Sequence, residues 1–137
     1  MTSEMERTAI VAPNAPGGRS YSQAVGVGDF VFVAGTAGKN METGTFPAGI
    51  AAQMEQAIKN IGEVLAAADC RLDEVVKVTT YITPEAYAVD EEAVLAEEIY
   101  TRAFSAEPKP ARSSPRVALP IPEALISIEA IAVRPTS

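Results

Sequence analysis

Between Ile50 and Ala68, the residues Ile50, Met54, Ala57, Ile58, Ile61, Val64, Leu65 and Ala68 recur at the spacing of one helix face. A helix with a single apolar stripe must bury it against another layer, and the flanking segments identify that layer as a sheet. Tyr21–Val27 and Phe30-Val31-Phe32-Val33-Ala34 are β-branched and aromatic and meet at Gly28-Asp29, which reads as a hairpin. Residues 37–49 carry three glycines and Pro47 and read as a loop. Asp69-Cys70-Arg71 ends the helix, and Val75–Ile82 is a strand stopped by Thr83-Pro84. Val89–Phe104 is a second helix, with Ala93, Ala96, Ile99, Tyr100, Ala103 and Phe104 toward the core, and Pro108 and Pro110 prevent its extension. Strands Ala111–Leu119 and Leu125–Val133 follow, joined through Pro120-Ile121-Pro122-Glu123. Residues 1–20, with Pro13, Pro16, Gly17 and Gly18, read as an irregular arm.

The predicted order is β-β-α-β-α-β-β, an α+β domain with a mixed sheet and two helices on one face. The last strand sends Ser127 and Glu129 to one face and Ile126, Ile128 and Ala130 to the other. The face away from the helices is neither purely polar nor purely apolar. A partner chain covering it is an economical solution, which predicts a symmetric oligomer.

Composition narrows the chemistry. The 137 residues fit one domain, 1–137. The chain has 11 basic and 18 acidic residues, a net charge of −7, so it repels phosphate backbones and argues against nucleic acid as a partner. It has no histidine, which excludes His-based triads and proton relays, and one cysteine, Cys70. A Cys/His metal site within one chain is therefore excluded, and no EF-hand spacing is present. A lone cysteine forms no intramolecular disulfide, which fits a reducing cytoplasm. No apolar run approaches a membrane span, and the acidic start, Met-Thr-Ser-Glu-Met-Glu-Arg, does not read as a signal peptide. Gly26-x-Gly28 is not a dinucleotide fingerprint, because no helix follows it.

Four stretches, in order and at family spacing, resemble the Rid family, the reactive-intermediate deaminases also called YjgF-like proteins. They are Tyr21-Ser22-Gln23-Ala24-Val25, Phe32-Val33-Ala34-Gly35, Pro110-Ala111-Arg112-Ser113 and Ile128-Glu129-Ala130-Ile131-Ala132-Val133. The resemblance runs from about Ala15 to Arg134. It implies a chorismate-mutase-like fold, and a homotrimer with inward-facing sheets and three clefts between subunits. It also implies hydrolysis of imine or enamine acids to a carbonyl compound and ammonia, with no cofactor and no metal.

The same resemblance assigns roles. Arg112 matches the carboxylate-binding arginine, and its planar fork suits that task. Ser114 stands where many active members have cysteine, and it retains the backbone groups thought to hold substrate and water. Tyr21 matches the cleft tyrosine, and Gly35 allows close approach of backbone to ligand. Glu129 lies in the terminal stretch, where a carboxylate can orient water or pair with Arg112. Two residues earlier, the usual water-positioning glutamate is Ser127, which cannot serve as the same base. Further departures are Arg19-Ser20 for the family's Gly-Pro, Ala34 for the serine before the turn glycine, and Glu97 for an asparagine on the second helix. Glu97-Glu98 otherwise read as part of a solvated helix face. Arg112, Ser114 and Arg116 share one strand face, where two cations would suit a dicarboxylate or larger acid; the favoured reading is that Arg116 reaches solvent or an acid of a neighbouring subunit.

Two functions follow. One is a hydrolytic imine or enamine deaminase in which Arg112 binds the acid and Glu129 or Ser127 serves the water. The other is a non-catalytic trimeric module that binds a small carboxylate or metabolite. A ribonuclease, an activity sometimes attached to the family, is disfavoured by the acidic charge and the missing histidine.

Overall fold

The structure is a computed structural model describing residues 6–88 and 90–135. Among the described residues the strands and α-helices follow in the order β1 Arg7–Ile10, β2 Ala24–Val27, β3 Phe30–Ala37, α1 Ile50–Ala67, β4 Val75–Ile82, α2 Asp90–Ala103, β5 Ala111–Ser113 and β6 Ile126–Val133. The strands form one six-stranded sheet in the order β1-β2-β3-β6-β4-β5. All pairings are antiparallel except β4 with β5, so the sheet is mixed.

Two sequence expectations need correction. The N-terminal arm is not irregular throughout, because Arg7–Ile10 pairs antiparallel with β2. Only Ile10 of that strand is buried, so it sits as an edge strand without an apolar alternation to announce it. The predicted strand Ala111–Leu119 is regular only to Ser113. Pro115 then interrupts the ladder, having no N–H to give, and the segment resumes contact irregularly. Ile82 N–H donates to the Pro115 carbonyl and Val117 N–H to the Ile82 carbonyl. Val89, where sequence reading begins the second helix, lies outside the described residues, as do residues 1–5 of the arm.

The helices share one sheet face. Val31, Val33, Val78, Ile82, Ile126 and Ile128 join Ile50, Met54, Ile61 and Leu65 of α1 in one buried cluster. Ala96, Tyr100 and Phe104 from the α2 segment enter the same cluster. The strict alternation along β6 produces this division: every second residue from Ile126 to Ala132 is buried and the rest are partly exposed. On the face away from the helices, Phe30 and Phe32 are 49% and 45% exposed. No helix among the described residues is long and apolar enough to cross a membrane.

Candidate functional site

The predicted site residues fall into two groups on opposite sides of the sheet. The first is built at the β4–β5 edge, on the side of the helices. Arg112, in β5, pairs in register with Val78, two residues before Thr80, and Thr80 is buried on the same sheet face as Val78. Arg112 Nε and Nη2 donate to Thr80 Oγ1 at 3.1 and 3.0 Å. Thr80 passes the chain on, donating to Ser114 Oγ at 3.0 Å. The guanidinium carbon lies 3.9 Å from the Tyr100 ring centroid, a cation–π contact that holds the side chain flat.

The rest of the fork is taken by Glu97 of α2. Nη1 donates to Oε1 at 2.7 Å and Nη2 to Oε2 at 3.0 Å. The hydroxyl of Tyr87 donates to the same Oε2 at 2.6 Å. Glu97 is therefore not simply part of a solvated face, contrary to the sequence reading; its side chain is 43% exposed and that of Arg112 only 20%. The hydrogen bond from Arg112 pulls the Glu97 carboxyl below its ordinary range, although burial opposes this. Burial works against the charge on Arg112, but Glu97 outweighs it and the guanidinium holds its proton more tightly than usual. Burial, then the bond to Glu97, pushes the Tyr87 phenol up.

Arg116 completes this group. Its Nη1 donates to the Ser114 carbonyl and hydroxyl at 2.9 and 3.1 Å, and its guanidinium lies 4.4 Å from the Tyr87 ring centroid. Arg112, Ser114 and Arg116 thus do lie along one face, and Arg116 itself is exposed.

The second group lies on the uncovered face. Glu129 accepts a hydrogen bond from Tyr81 Oη at 2.7 Å, and that bond raises the tyrosine's pKa. Its partner is thus Tyr81 and not Arg112, because Thr79, Tyr81, Ser127 and Glu129 alternate to the face opposite Thr80. Ser127 faces Gly35, where an added Cβ would stand 2.8 Å from Ser127 Oγ. Gly35 sits in a register shift of β3 between Val33 and Thr36, so its backbone leaves the ladder there and is exposed. Tyr21 precedes β2, half exposed, with its ring against Gly18.

Strand spacing separates the groups further. Four strand intervals lie between β2 and β5, about 19 Å at the usual spacing. Tyr21 and Arg112 of a single chain therefore cannot both touch one small acid. Sequence reasoning missed Thr80 and Tyr100, and took Glu97 for a solvated residue. Only the tertiary pairing of β4 with β5 and the packing of α2 bring them together. The departure from asparagine at position 97 was the one available signal.

A family model described as Endoribonuclease L-PSP matches residues 10–134. The chain is 39% identical over 124 residues to the 2-iminobutanoate/2-iminopropanoate deaminase of Rattus norvegicus, covering 90% of this chain and 85% of that protein. It is 37% identical over 133 residues to the chloroplastic Reactive Intermediate Deaminase A of Arabidopsis thaliana, covering 95% of this chain and 67% of the relative. Among solved structures, RidA from the Antarctic bacterium Psychrobacter sp. PAMC 21119 superposes with a TM-score of 0.79 at 35% identity, covering 92% of this chain and 98% of that one.

Proposed function

Because the chain belongs to the Rid family, we propose that it hydrolyses reactive imine or enamine acids, with Arg112 holding the substrate carboxylate in a cleft between subunits of a homotrimer. Water adds to the C=N carbon, the C–N bond breaks, and a carbonyl compound and ammonia leave; no redox change and no cofactor is required. The observation that carries the reading is the separation just described. The proposed half-sites are Arg112 with Ser114 at the β5 edge, and Tyr21 and Gly35 before β2 and on β3, on distant strands of one protomer. An adjacent copy that brings its Tyr21 and Gly35 up to this Arg112 edge would make one pocket of the two. The exposed Phe30 and Phe32 supply apolar area for that association.

Holding an acid beside an oriented water supplies much of the acceleration for an intermediate that already hydrolyses in solution. Glu129 and Ser127 are the residues proposed to serve that water. The test is hydrolysis of imino acids generated from a panel of amino acids, with Arg112→Ala alongside. The native protein is expected to accelerate hydrolysis and the variant to lose most of the effect. Equal rates in both would remove the assignment of Arg112.

The non-catalytic binding module is the second reading, favoured by two observations. Position 127 carries serine, and Glu129 already spends its carboxylate on Tyr81. A ribonuclease remains disfavoured by the net charge of −7 and the absence of histidine.

A further inference from the structure

The guanidinium of Arg112 has five N–H donors. The Nε–H and one Nη2–H point at Thr80, and the facing pair from Nη1 and Nη2 points at Glu97. One N–H, on Nη1, is left. A carboxylate that is to be gripped bidentately finds the fork already closed by a carboxylate of the protein itself. Glu97 is in turn held by the Tyr87 hydroxyl, and the charge of Arg116, stacked over that same ring, also reaches it. A glutamate displaced from Arg112 therefore keeps one strong donor and a second cation nearby, so displacement is possible without stranding a buried charge.

We propose that Glu97 is a specificity-determining residue: it fills the Arg112 fork as an internal competitor, and every substrate acid must displace it. The proposal rests on the reading that Arg112 receives the substrate carboxylate. Its consequence is selectivity. An imine without a carboxylate loses nothing to Glu97, whereas a simple imino acid meets a like charge at its anchor point. The chain thereby discriminates against small monocarboxylates relative to a cleft with a neutral amide at this position.

Binding of 2-oxobutanoate, the stable oxoacid product of an imino acid, measures the competition directly. Titration by calorimetry should show Glu97→Gln binding about tenfold tighter than the native protein, the scale of one charge-assisted hydrogen bond. Tyr87→Phe, which removes the donor that a displaced Glu97 keeps and leaves the Arg112 pair intact, should weaken binding by a smaller factor, and it serves if the glutamine variant folds poorly. Kinetics add a readout that a purely structural role would not move. For an imino acid, Glu97→Gln should lower KM and hold kcat, and for an imine lacking a carboxylate it should change neither. Unchanged affinity in both variants, with binding abolished by Arg112→Ala, would overturn the role of Glu97 and leave Arg112 as the anchor. Native binding that survives Arg112→Ala would overturn both, as would absence of binding in every variant.

Discussion

Glu129 and Ser127 leave the same face of β6, two residues apart, but among the described residues only the Glu129 side chain has a hydrogen-bond partner, the Tyr81 hydroxyl. A carboxylate that accepts that bond holds a water less freely, whereas a carboxylate at position 127 would face the exposed backbone of Gly35. Ser127→Glu is therefore expected to raise the rate of imino-acid hydrolysis by about 10²-fold, the low end of what a positioned general base contributes. A steady-state assay at pH 7 checks it, and a rate no higher than native would point to the non-catalytic module. Glu97 carries a pH prediction of its own. Its folded pKa lies below the ordinary 4.5, chiefly through the hydrogen bond from Arg112. The stabilisation it provides is thus fully present above 4.5 and is lost as pH falls through the depressed folded value. The thermal unfolding temperature, followed from pH 6 to pH 3, should fall slightly more steeply in the native protein than in Glu97→Gln. The exposure of Glu97 keeps this contribution small, since solvent screens the pair.

Helix α1 approaches the end of β3 closely enough that position 38 admits no side chain. A Cβ at Gly38 would run into the carbonyl oxygen of Gln53, a backbone atom inside α1 that cannot rotate away. Gly38→Ala must push the helix off the sheet and is expected to cost about 3 kcal/mol, the upper range for overpacking a core. Gly44→Ala is an instructive control. Its φ of +74° also disfavours a side chain, yet nothing lies within 4 Å of the added carbon, so the cost is confined to backbone strain of about 1 kcal/mol. Urea unfolding of the two variants separates close approach from strain. At the other edge, the short parallel β5 is what aims Arg112 at Thr80. Register with β4 sets that geometry, so changes in the 108–111 segment should weaken acid binding before they weaken the fold.

The uncovered sheet face belongs to the molecule as a whole. Phe30 and Phe32 stack with ring centroids 6.2 Å apart, and beside Phe32 lie Lys77, Thr79, Glu129 and Ile131. A face of this mixed character is suited to a copy of the same chain. Sedimentation is expected to give about three times 14.4 kDa. Phe32→Asp should shift the mass toward the monomer, and imino-acid hydrolysis should fall with it, because the two half-sites part. A native protein that sediments as a monomer at all concentrations would remove the shared cleft.

The sequence by itself determined the two helices, the hairpin at Gly28-Asp29 and the alternating last strand, because each is written as a local period in apolar residues. It also carried the family, since Tyr21, Gly35, Arg112 and Glu129 sit in short stretches of fixed order. It did not show β1, whose mostly exposed residues carry no period, nor the early end of β5, which depends on where Pro115 meets the β4 edge. Only the tertiary structure decided the partners of the charged residues. Glu97 and Arg112 are 15 residues apart in the chain, and Tyr81 and Glu129 are 48 apart. Charge pairing over such separations is set by which strands become neighbours and which face each side chain takes, and no local pattern records either.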